Sequence, residues 1–297
     1  MLRQVSRVVD DPEGSYVPKD LPPIVDAHVH IFPDKIFSAV WSWFAEHAWQ
    51  IRYRLTSAQV FEFLFSRGIS RIVALQYAHK PGIAAGLNTY MTQKCREAGS
   101  RVTGLATVFP GEEGAGDILE QAFAAGLSGV KLHAHVQGLD MDAEDMQAVF
   151  DICQKHGRPL VIHAGREPKS PAYSCDPHVI CSADRVERVL KNFPRLHICV
   201  PHLGFDELIT YRNLLETYDT LWLDTTMVLA DYFPLQDRIP LEKYRADRIM
   251  YGSDFPNIPY AWDRELQLLT AWNLPRERLK RLLYANAAEL FKLDQVD

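Results

Sequence analysis

Residues 24–32 read Ile-Val-Asp-Ala-His-Val-His-Ile-Phe (IVDAHVHIF), an apolar stretch with two histidines two positions apart. Its length and composition are typical of a buried β-strand. Side chains two positions apart on a strand point to the same face, so the imidazoles of His28 and His30 would converge on one point. Two imidazoles are hard to accommodate in an apolar core, but they are common metal ligands. The stretch therefore predicts a strand that carries part of a metal site.

Short apolar runs of this kind alternate with amphipathic stretches along the chain. Strands are predicted at residues 24–30, 69–76, 102–108, 129–135, 159–165, 197–204, 221–226 and 249–255. Helices are predicted at 57–67, 114–126, 142–157 and 183–193, with Ser57 and Asp142 as N-caps. This alternation over roughly 270 residues predicts an α/β fold, a (β/α)8 TIM barrel with extra C-terminal helices. A doubly wound sheet is the alternative, but no Gly-x-Gly-x-x-Gly follows any predicted strand.

The composition favours one large globular domain. Of the 297 residues, 47% are hydrophobic, which suffices for a sizeable core, and no change in composition marks a second domain. We therefore expect one domain over residues 1–297, in which the polar segment 1–21 is an N-terminal extension.

The charge and the cysteine content limit the partners and the compartment. The net charge of −6 argues against a surface for nucleic acid or for anionic membranes. No apolar run approaches the ~20 residues of a membrane span, and the first residues lack the apolar stretch of a signal peptide. The five cysteines are an odd number and form no disulfide framework. We expect a soluble, cytoplasmic protein with a small-molecule partner, and we leave open whether it forms a homo-oligomer.

Polar residues recur at the ends of four predicted strands. They are His28 and His30 on the first strand, His163 on the fifth, His202 on the sixth and Asp254 on the eighth. The carboxyl ends of all strands of a parallel barrel meet at one mouth, where active sites form. These side chains would therefore lie close together. Imidazole and carboxylate groups suit Zn²⁺ and other divalent first-row metals, so the pattern predicts a metal centre.

The same segments resemble a known family. The H-x-H of VDAHVHIF, the histidines of VIHAG and VPHLG and the aspartate of YGSDFP are similar, in this order, to the motifs of the amidohydrolase superfamily. More narrowly, residues 22–292 resemble its amidohydrolase-related branch. That branch includes lactonases and non-oxidative decarboxylases such as aminocarboxymuconate-semialdehyde decarboxylase.

The resemblance implies one metal ion and a role for each motif residue. The ion, expected to be Zn²⁺ with Mn²⁺ as the alternative, would be held by His28, His30, His163 and Asp254. His202 would lie beside the water or the substrate. A bound divalent ion lowers the pKa of water from 15.7 towards ~7. Asp254 and His202 are then the predicted catalytic residues, since Asp254 can transfer a proton and His202 can orient the nucleophile or polarise a carbonyl.

The segment GVKLHAHVQ (129–137) leaves two interpretations open. Lys131, His133 and His135 alternate with apolar residues, so all three could face the barrel interior. Some superfamily members carry a carbamylated lysine on the fourth strand that bridges two metals, whereas the alternative for Lys131 is an ion-paired residue of the interior layer. We expect a single metal. Lys131 and His133 are predicted to contact the substrate. The alternative role for His133 is that of a supplementary metal ligand.

The loop after the fifth predicted strand is expected to help select the substrate. Its Arg166 and Lys169 are predicted to bind a carboxylate. Cys175, His178 and Cys181 have a spacing that invites a zinc interpretation, but the absence of an obvious fourth ligand favours a chance pattern.

Three further features allow both a functional and a structural interpretation. WSWFAEHAW (41–49) could line an apolar pocket, although plain helix packing is the simpler explanation. Asp224, near the end of the seventh predicted strand, lies beside the metal or caps the next helix. Asp26 either supports a ligand imidazole or is an ordinary strand-end residue.

Three classes of function remain. The leading one is a metal-dependent hydrolase that acts on a lactone, ester or amide of a small molecule through a water that the metal activates. The second is a metal-dependent, non-oxidative decarboxylase (carboxy-lyase) of an aromatic or unsaturated carboxylic acid. The third is a non-catalytic metal- or metabolite-binding barrel, which an intact ligand set disfavours. A phosphoesterase that begins with H-x-H would require a histidine soon after the last acid, but Asp254 is followed by Phe-Pro-Asn.

Overall fold

Eight parallel strands alternate with helices along the chain. A computed structural model describes residues 11–166, 170–233 and 238–294. The strands are β1 Val25–His30, β2 Arg71–Leu75, β3 Val102–Gly104, β4 Val130–His133, β5 Leu160–His163, β6 Ile198–Val200, β7 Leu221–Asp224 and β8 Ile249–Met250. The helices are α1 Asp34–His47, α2 Ser57–Ser66, α3 Ala84–Ala98, α4 Ala115–Ala124, α5 Ala134–Gln137, α6 Glu144–His156, α7 Pro177–Ile180, α8 Ala183–Asn192, α9 Leu208–Thr217, α10 Arg264–Ala271, α11 Arg276–Lys280 and α12 Asn286–Phe291. Every strand lies within a predicted segment.

The strands form two parallel sheets that together make the barrel wall. Their orders are β1-β2-β3 and β4-β5-β6-β7-β8. At the two seams the sheets are joined by single parallel bridges rather than continuous ladders, Ala106 with Val130 and Val29 with Phe255. Each strand pairs with its neighbours in sequence, and helices fill the connections, as in a (β/α)8 barrel. The predicted TIM barrel with additional C-terminal helices is confirmed.

An irregularity in β1 determines which of its side chains face the barrel interior. The pairing of β1 with β2 shifts register between Asp26 and Val29. Val25 and Ala27 belong to the apolar cluster that includes strand residues Val161 and Trp222, whereas Val29 belongs to a different, larger cluster. A register shift of this kind moves the following side chains to the other face of a strand. It therefore turns the two histidines of β1, rather than Val29, towards the interior.

The starts of two helices differ from the prediction. Helix α2 is capped by Thr56 rather than Ser57, because the Thr56 side chain accepts a hydrogen bond from the backbone amide three residues later. Helix α6 begins after Ala143 rather than at Asp142. The Asp142 carboxylate instead pairs with two arginines of α8, at 2.9 and 2.6 Å.

The described part of the predicted N-terminal extension packs on the barrel. The Val17 amide donates to the Arg67 carbonyl at 2.8 Å, and the Gly14 amide donates to Asp263 Oδ2 at 3.0 Å. Residues 1–10 of the extension lie outside the described residues. Across the described ranges, no helix combines the length and the apolar character that crossing a membrane requires.

Candidate metal centre

Three ligand atoms converge beyond the carboxyl end of β1. His28 Nε2 lies 3.3 Å from His30 Nε2 and 3.5 Å from Asp254 Oδ1, and His30 Nε2 lies 3.0 Å from the same oxygen. All three residues are buried. A tetrahedral Zn²⁺ with bonds of about 2.0–2.1 Å keeps its ligand atoms about 3.3 Å apart. The triangle therefore has the dimensions of a metal site, and its two imidazoles and one carboxylate suit a divalent ion.

Asp224 holds His28 in the orientation that a metal ligand needs. Asp224 Oδ2 accepts a hydrogen bond from His28 Nδ1 at 2.8 Å, which leaves the lone pair on Nε2 to bind a metal. Asp224 Oδ1 accepts from the backbone amides of His202 at 3.1 Å and Thr226 at 3.2 Å. Burial, and secondarily the charge of Lys131, lowers the pKa of His28 to about 4, so the ring is neutral at pH 7. Burial alone would raise the pKa of Asp224, but the neighbouring His28 holds it below its ordinary value.

The backbone around Asp254 brings its carboxylate to the triangle. Asp254 has a φ of 66°, in the left-handed region that few residues other than glycine adopt. Its amide donates to the His28 carbonyl at 2.9 Å, and the next residue bridges to β1. Burial would raise the pKa of Asp254, but the hydrogen bond and charge of His30 lower it to about 2. The carboxylate is therefore ionised and can act as a metal ligand at neutral pH.

His202 lies beside the triangle, in a 3₁₀ turn that follows β6. Its Nδ1 donates to the Thr226 carbonyl at 2.9 Å. The centroid of its ring is 6.0 Å from that of His28 and 4.5 Å from that of His163. Because Nδ1 is occupied, Nε2 is the nitrogen of His202 that can contact a nucleophile or a substrate.

His163 forms a second group with two other histidines. His133 ends β4, His135 lies in the short helix α5, and His163 ends β5. One ring nitrogen of each lies within 4.8 Å of the other two, and the His163 ring centroid is 4.3 Å from that of His133. By the same distance limit, His163 does not join the triangle of β1. The ligand set that combines His163 with the triangle therefore stays a prediction.

A cavity of about 630 Å³ is lined by both groups of residues. Its polar lining includes His30, His133, His135, His163, His202 and Asp254. Seven Trp, Tyr and Phe residues line it as well, and five of them we call the aromatic wall: Trp43, Phe44, Trp49, Tyr173 and Phe233. Cavities of about 300–1,000 Å³ with apolar linings and a few polar groups are typical of small-molecule sites. The predicted metal and catalytic groups thus border a space that can hold a small molecule.

Comparison with protein families identifies the group to which this barrel belongs. A family model described as amidohydrolase matches residues 25–293. The chain belongs to the amidohydrolase family. This membership confirms the predicted superfamily, and with it the prediction that the protein is a metal-dependent enzyme.

Solved structures similar to this amidohydrolase share its fold over nearly their whole length. 5-Carboxyvanillate decarboxylase from Novosphingobium aromaticivorans, solved with manganese and 4-hydroxy-3-methoxy-5-nitrobenzoic acid, is 18% identical with a TM-score of 0.70, and the match covers 95% of this chain and 99% of that one. An uncharacterized TIM-barrel protein from Bordetella bronchiseptica is 14% identical, with a TM-score of 0.72 and coverages of 92% and 99%. A candidate 2-pyrone-4,6-dicarboxylic acid hydrolase from Pseudomonas putida is 17% identical, with a TM-score of 0.65 and coverages of 92% and 99%. Comparison with curated proteins gave no match.

Two predicted substrate contacts of this amidohydrolase lie away from the cavity lining in the described part of the chain. Lys131 is fully buried on β4, where its charge contributes to the low pKa of His28. Arg166 Nε pairs with Asp206 at 3.2 Å and with Glu207 at 3.3 Å. The charge of Arg166 is thus engaged by two carboxylates, and a substrate carboxylate would have to compete with them. Lys169 lies outside the described residues, whereas His133 does line the cavity.

The side chain that supports His28, a predicted metal ligand, is Asp224 rather than Asp26. The Asp26 carboxylate accepts hydrogen bonds from the backbone amides of Ser253 at 3.0 Å and His28 at 3.2 Å, so it ties β1 to the segment after β8. Burial raises the pKa of Asp26 to about 7. The sequence feature that pointed to Asp224 is its position at the end of a predicted strand, because the carboxyl ends of β7 and β1 lie at the same end of the barrel.

The cysteines of the loop after β5 form no metal-ligand group with His178 within the described ranges. His178 is exposed, whereas Cys181 is buried and its Sγ lies 3.9 Å from His135 Nδ1. Cys175 Sγ donates to the His135 carbonyl at 3.2 Å. The two cysteines therefore pack around His135, and the chance interpretation of their spacing is the one that fits.

Proposed function

We propose that the protein is a metal-dependent hydrolase that cleaves a lactone, ester or amide of a small molecule. The observation that carries the proposal is the triangle of His28 Nε2, His30 Nε2 and Asp254 Oδ1, whose sides of 3.0–3.5 Å fit one divalent ion. The triangle borders a cavity of about 630 Å³, so an ion held there would meet a substrate.

The residues present fit the implied metal. His28 is neutral and Asp254 is ionised, which are the protonation states in which these groups bind a metal. The hydrogen bond from His28 Nδ1 to Asp224 supplies the supporting carboxylate that metal-binding histidines usually have. His163 is proposed as the further ligand. We expect Zn²⁺, and Mn²⁺ is the alternative because a structure with the same fold was solved with manganese. When bound, the ion polarises a carbonyl oxygen and lowers the pKa of water towards neutrality.

The chain's own residues then move the protons. Asp254 Oδ1 faces the two imidazoles, which leaves Oδ2 to accept a proton from the attacking water and to deliver it to the leaving oxygen or nitrogen. His202, fixed through Nδ1 to the Thr226 carbonyl, can use Nε2 to orient the water or the carbonyl. Cleavage adds water across the acyl bond, so an acid and an alcohol or amine are the products.

A non-oxidative decarboxylase is the second candidate. The observation in its favour is the shared fold with two enzymes whose names state this activity, 5-carboxyvanillate decarboxylase and 2,6-dihydroxybenzoate decarboxylase. In that reaction the bond between the ring carbon and the carboxylate breaks and CO2 leaves. A proton replaces it on the ring carbon, and Asp254 would take up that proton from water and deliver it. The ligand residues are the same for both reactions, so they do not separate the two candidates.

One screen separates the two reactions. The zinc- or manganese-loaded protein is incubated with lactones, esters and aromatic acids, and both acid release and CO2 are followed, with the Asp254→Asn variant as the control. We expect acid release from a lactone or ester without CO2. Release of CO2 from an aromatic acid, without addition of water, would replace the hydrolase by the decarboxylase.

We also propose a reducing, cytoplasmic setting. All five cysteines are free thiols, and Cys153, Cys181 and Cys199 are buried. An enzyme of an oxidising compartment more often pairs its cysteines.

A further inference from the structure

The apolar face of helix α1 points towards the cavity rather than into the core. Six residues at helical spacing line the cavity: Ile36, Ala39, Val40, Trp43, Phe44 and His47. None of them is fully buried, and Phe37 is the buried residue of this helix. An amphipathic helix normally covers its apolar stripe with the protein core. Here a large part of the stripe borders empty space, so a ligand would complete its burial.

Contacts between rings hold the aromatic wall in place. Trp43 stacks on Tyr173, with ring centroids 5.4 Å apart and an angle of 27° between the ring planes. Trp49 Nε1 donates to the Asn257 carbonyl at 2.8 Å, and its ring lies 5.1 Å from that of Phe44. Such contacts restrict side-chain rotation before a ligand arrives, which lowers the entropy cost of binding.

The wall is continuous with the polar part of the cavity. Tyr173, which stacks on Trp43, also lies 4.6 Å from the ring of His135. The ionisable side chains that line the cavity are histidines, two tyrosines and Asp254, and within the described residues no lysine or arginine lines it. The aromatic wall therefore offers no fixed positive charge for a second carboxylate of a substrate.

We propose that the aromatic wall is a binding subsite for the uncharged, apolar body of the substrate, and that Trp43 is its main specificity determinant. This inference rests on the proposed function for the polar end of the cavity. The substrate class is then a carbonyl compound with an aromatic ring or a long acyl chain attached. The volume of about 630 Å³ exceeds what a reacting carbonyl group alone would occupy and is in the range for drug-sized ligands.

Binding measurements test the subsite without requiring turnover. Dissociation constants of butyrate and 4-phenylbutyrate for the zinc-loaded protein are measured by calorimetry, because the two acids share a carboxylate and differ by a phenyl group. We expect 4-phenylbutyrate to bind at least about tenfold more tightly. Trp43→Ala should reduce this ratio severalfold and leave the affinity for butyrate unchanged.

Trp41→Ala is the matched control on the same helix. Trp41 stacks on Phe37 at 5.5 Å and is not among the cavity-lining residues, so its removal should preserve the wild-type ratio. If circular dichroism shows that Trp43→Ala does not fold, Phe44→Ala is the second variant. It should also reduce the ratio of the two affinities. Three results would overturn the proposed subsite. The two acids could bind with equal affinity, 4-phenylbutyrate could fail to bind, or the ratio of the two affinities could be the same in the Trp41 variant and in the wall variants. If the protein binds 4-phenylbutyrate more tightly than butyrate but turns over no lactone or ester, the proposed hydrolase activity is rejected and the proposed subsite is retained.

Discussion

His28 Nδ1 lies 2.8 Å from Asp224 Oδ2, and both side chains are almost completely buried. The contact joins the first strand of the barrel to the seventh. Asp224 also accepts hydrogen bonds from the backbone amides of His202 and Thr226. One carboxylate therefore positions both His28, a proposed ligand, and the turn that carries His202, a proposed catalytic residue.

Replacing Asp224 should weaken metal binding without removing a ligand. We expect Asp224→Ala to lower the affinity for Zn²⁺ by about 10–100-fold, because His28 loses the partner that fixes its tautomer and ring orientation. Competition with a chelator of known affinity measures the effect. Asp26→Asn is the control, since Asp26 is equally buried but bonds to backbone amides and Ser253 rather than to an imidazole. Equal losses in both variants would show that the effect is general destabilisation.

Asp254→Asn should abolish nearly all turnover while the fold persists. The amide oxygen can still bind a metal weakly, but the amide cannot accept a proton. Loss of general acid–base catalysis is worth about 10²–10⁴ in rate, and a weaker metal site adds to that. The kcat and the metal content are measured on the same preparations. A kcat close to that of the wild type would remove Asp254 from the mechanism.

His202→Asn should keep its metal and lose activity. On the proposed mechanism His202 contacts the water or the carbonyl and is not a principal ligand, so kcat and kcat/KM should fall together. Elemental analysis of the variant provides the second measurement. If this variant emerges from purification without metal, His202 is a ligand and the assigned role is incorrect.

The purified protein should contain close to one divalent metal ion per chain. The triangle of β1 and Asp254 offers one site with suitable ligand separations, and His163 is proposed to complete it. Elemental analysis with His135→Ala as a companion variant measures this, because His135 belongs to the second group of histidines but not to the proposed ligand set. Two tightly bound ions, with a carbamate on Lys131 detected by mass spectrometry, would contradict the prediction. A second ion lost in His135→Ala would assign it to the second group.

Local sequence patterns predicted the strands and the residues at their ends, because strand periodicity and position in the barrel depend on neighbours in sequence. They did not predict the direction of Asp26, since the register shift in β1 breaks the alternation of faces. The partner of His28 was beyond local patterns for another reason: Asp224 lies 196 positions away, and β7 brings it there. Arg166 illustrates the same limit, because Asp206 and Glu207 engage it from the turn after β6.

The seam between the first and last strands has a consequence for biosynthesis. The Asp254 amide donates to the His28 carbonyl, and the His30 amide donates to the Phe255 carbonyl. Two of the three proposed ligands in the triangle therefore come from the first strand, and the third comes from the segment after the last strand. A nascent chain on the ribosome carries both histidines long before Asp254 is translated. Full coordination is therefore unavailable until the segment after the last strand has been synthesised, and metal loading should follow assembly of the other strands instead of guiding it.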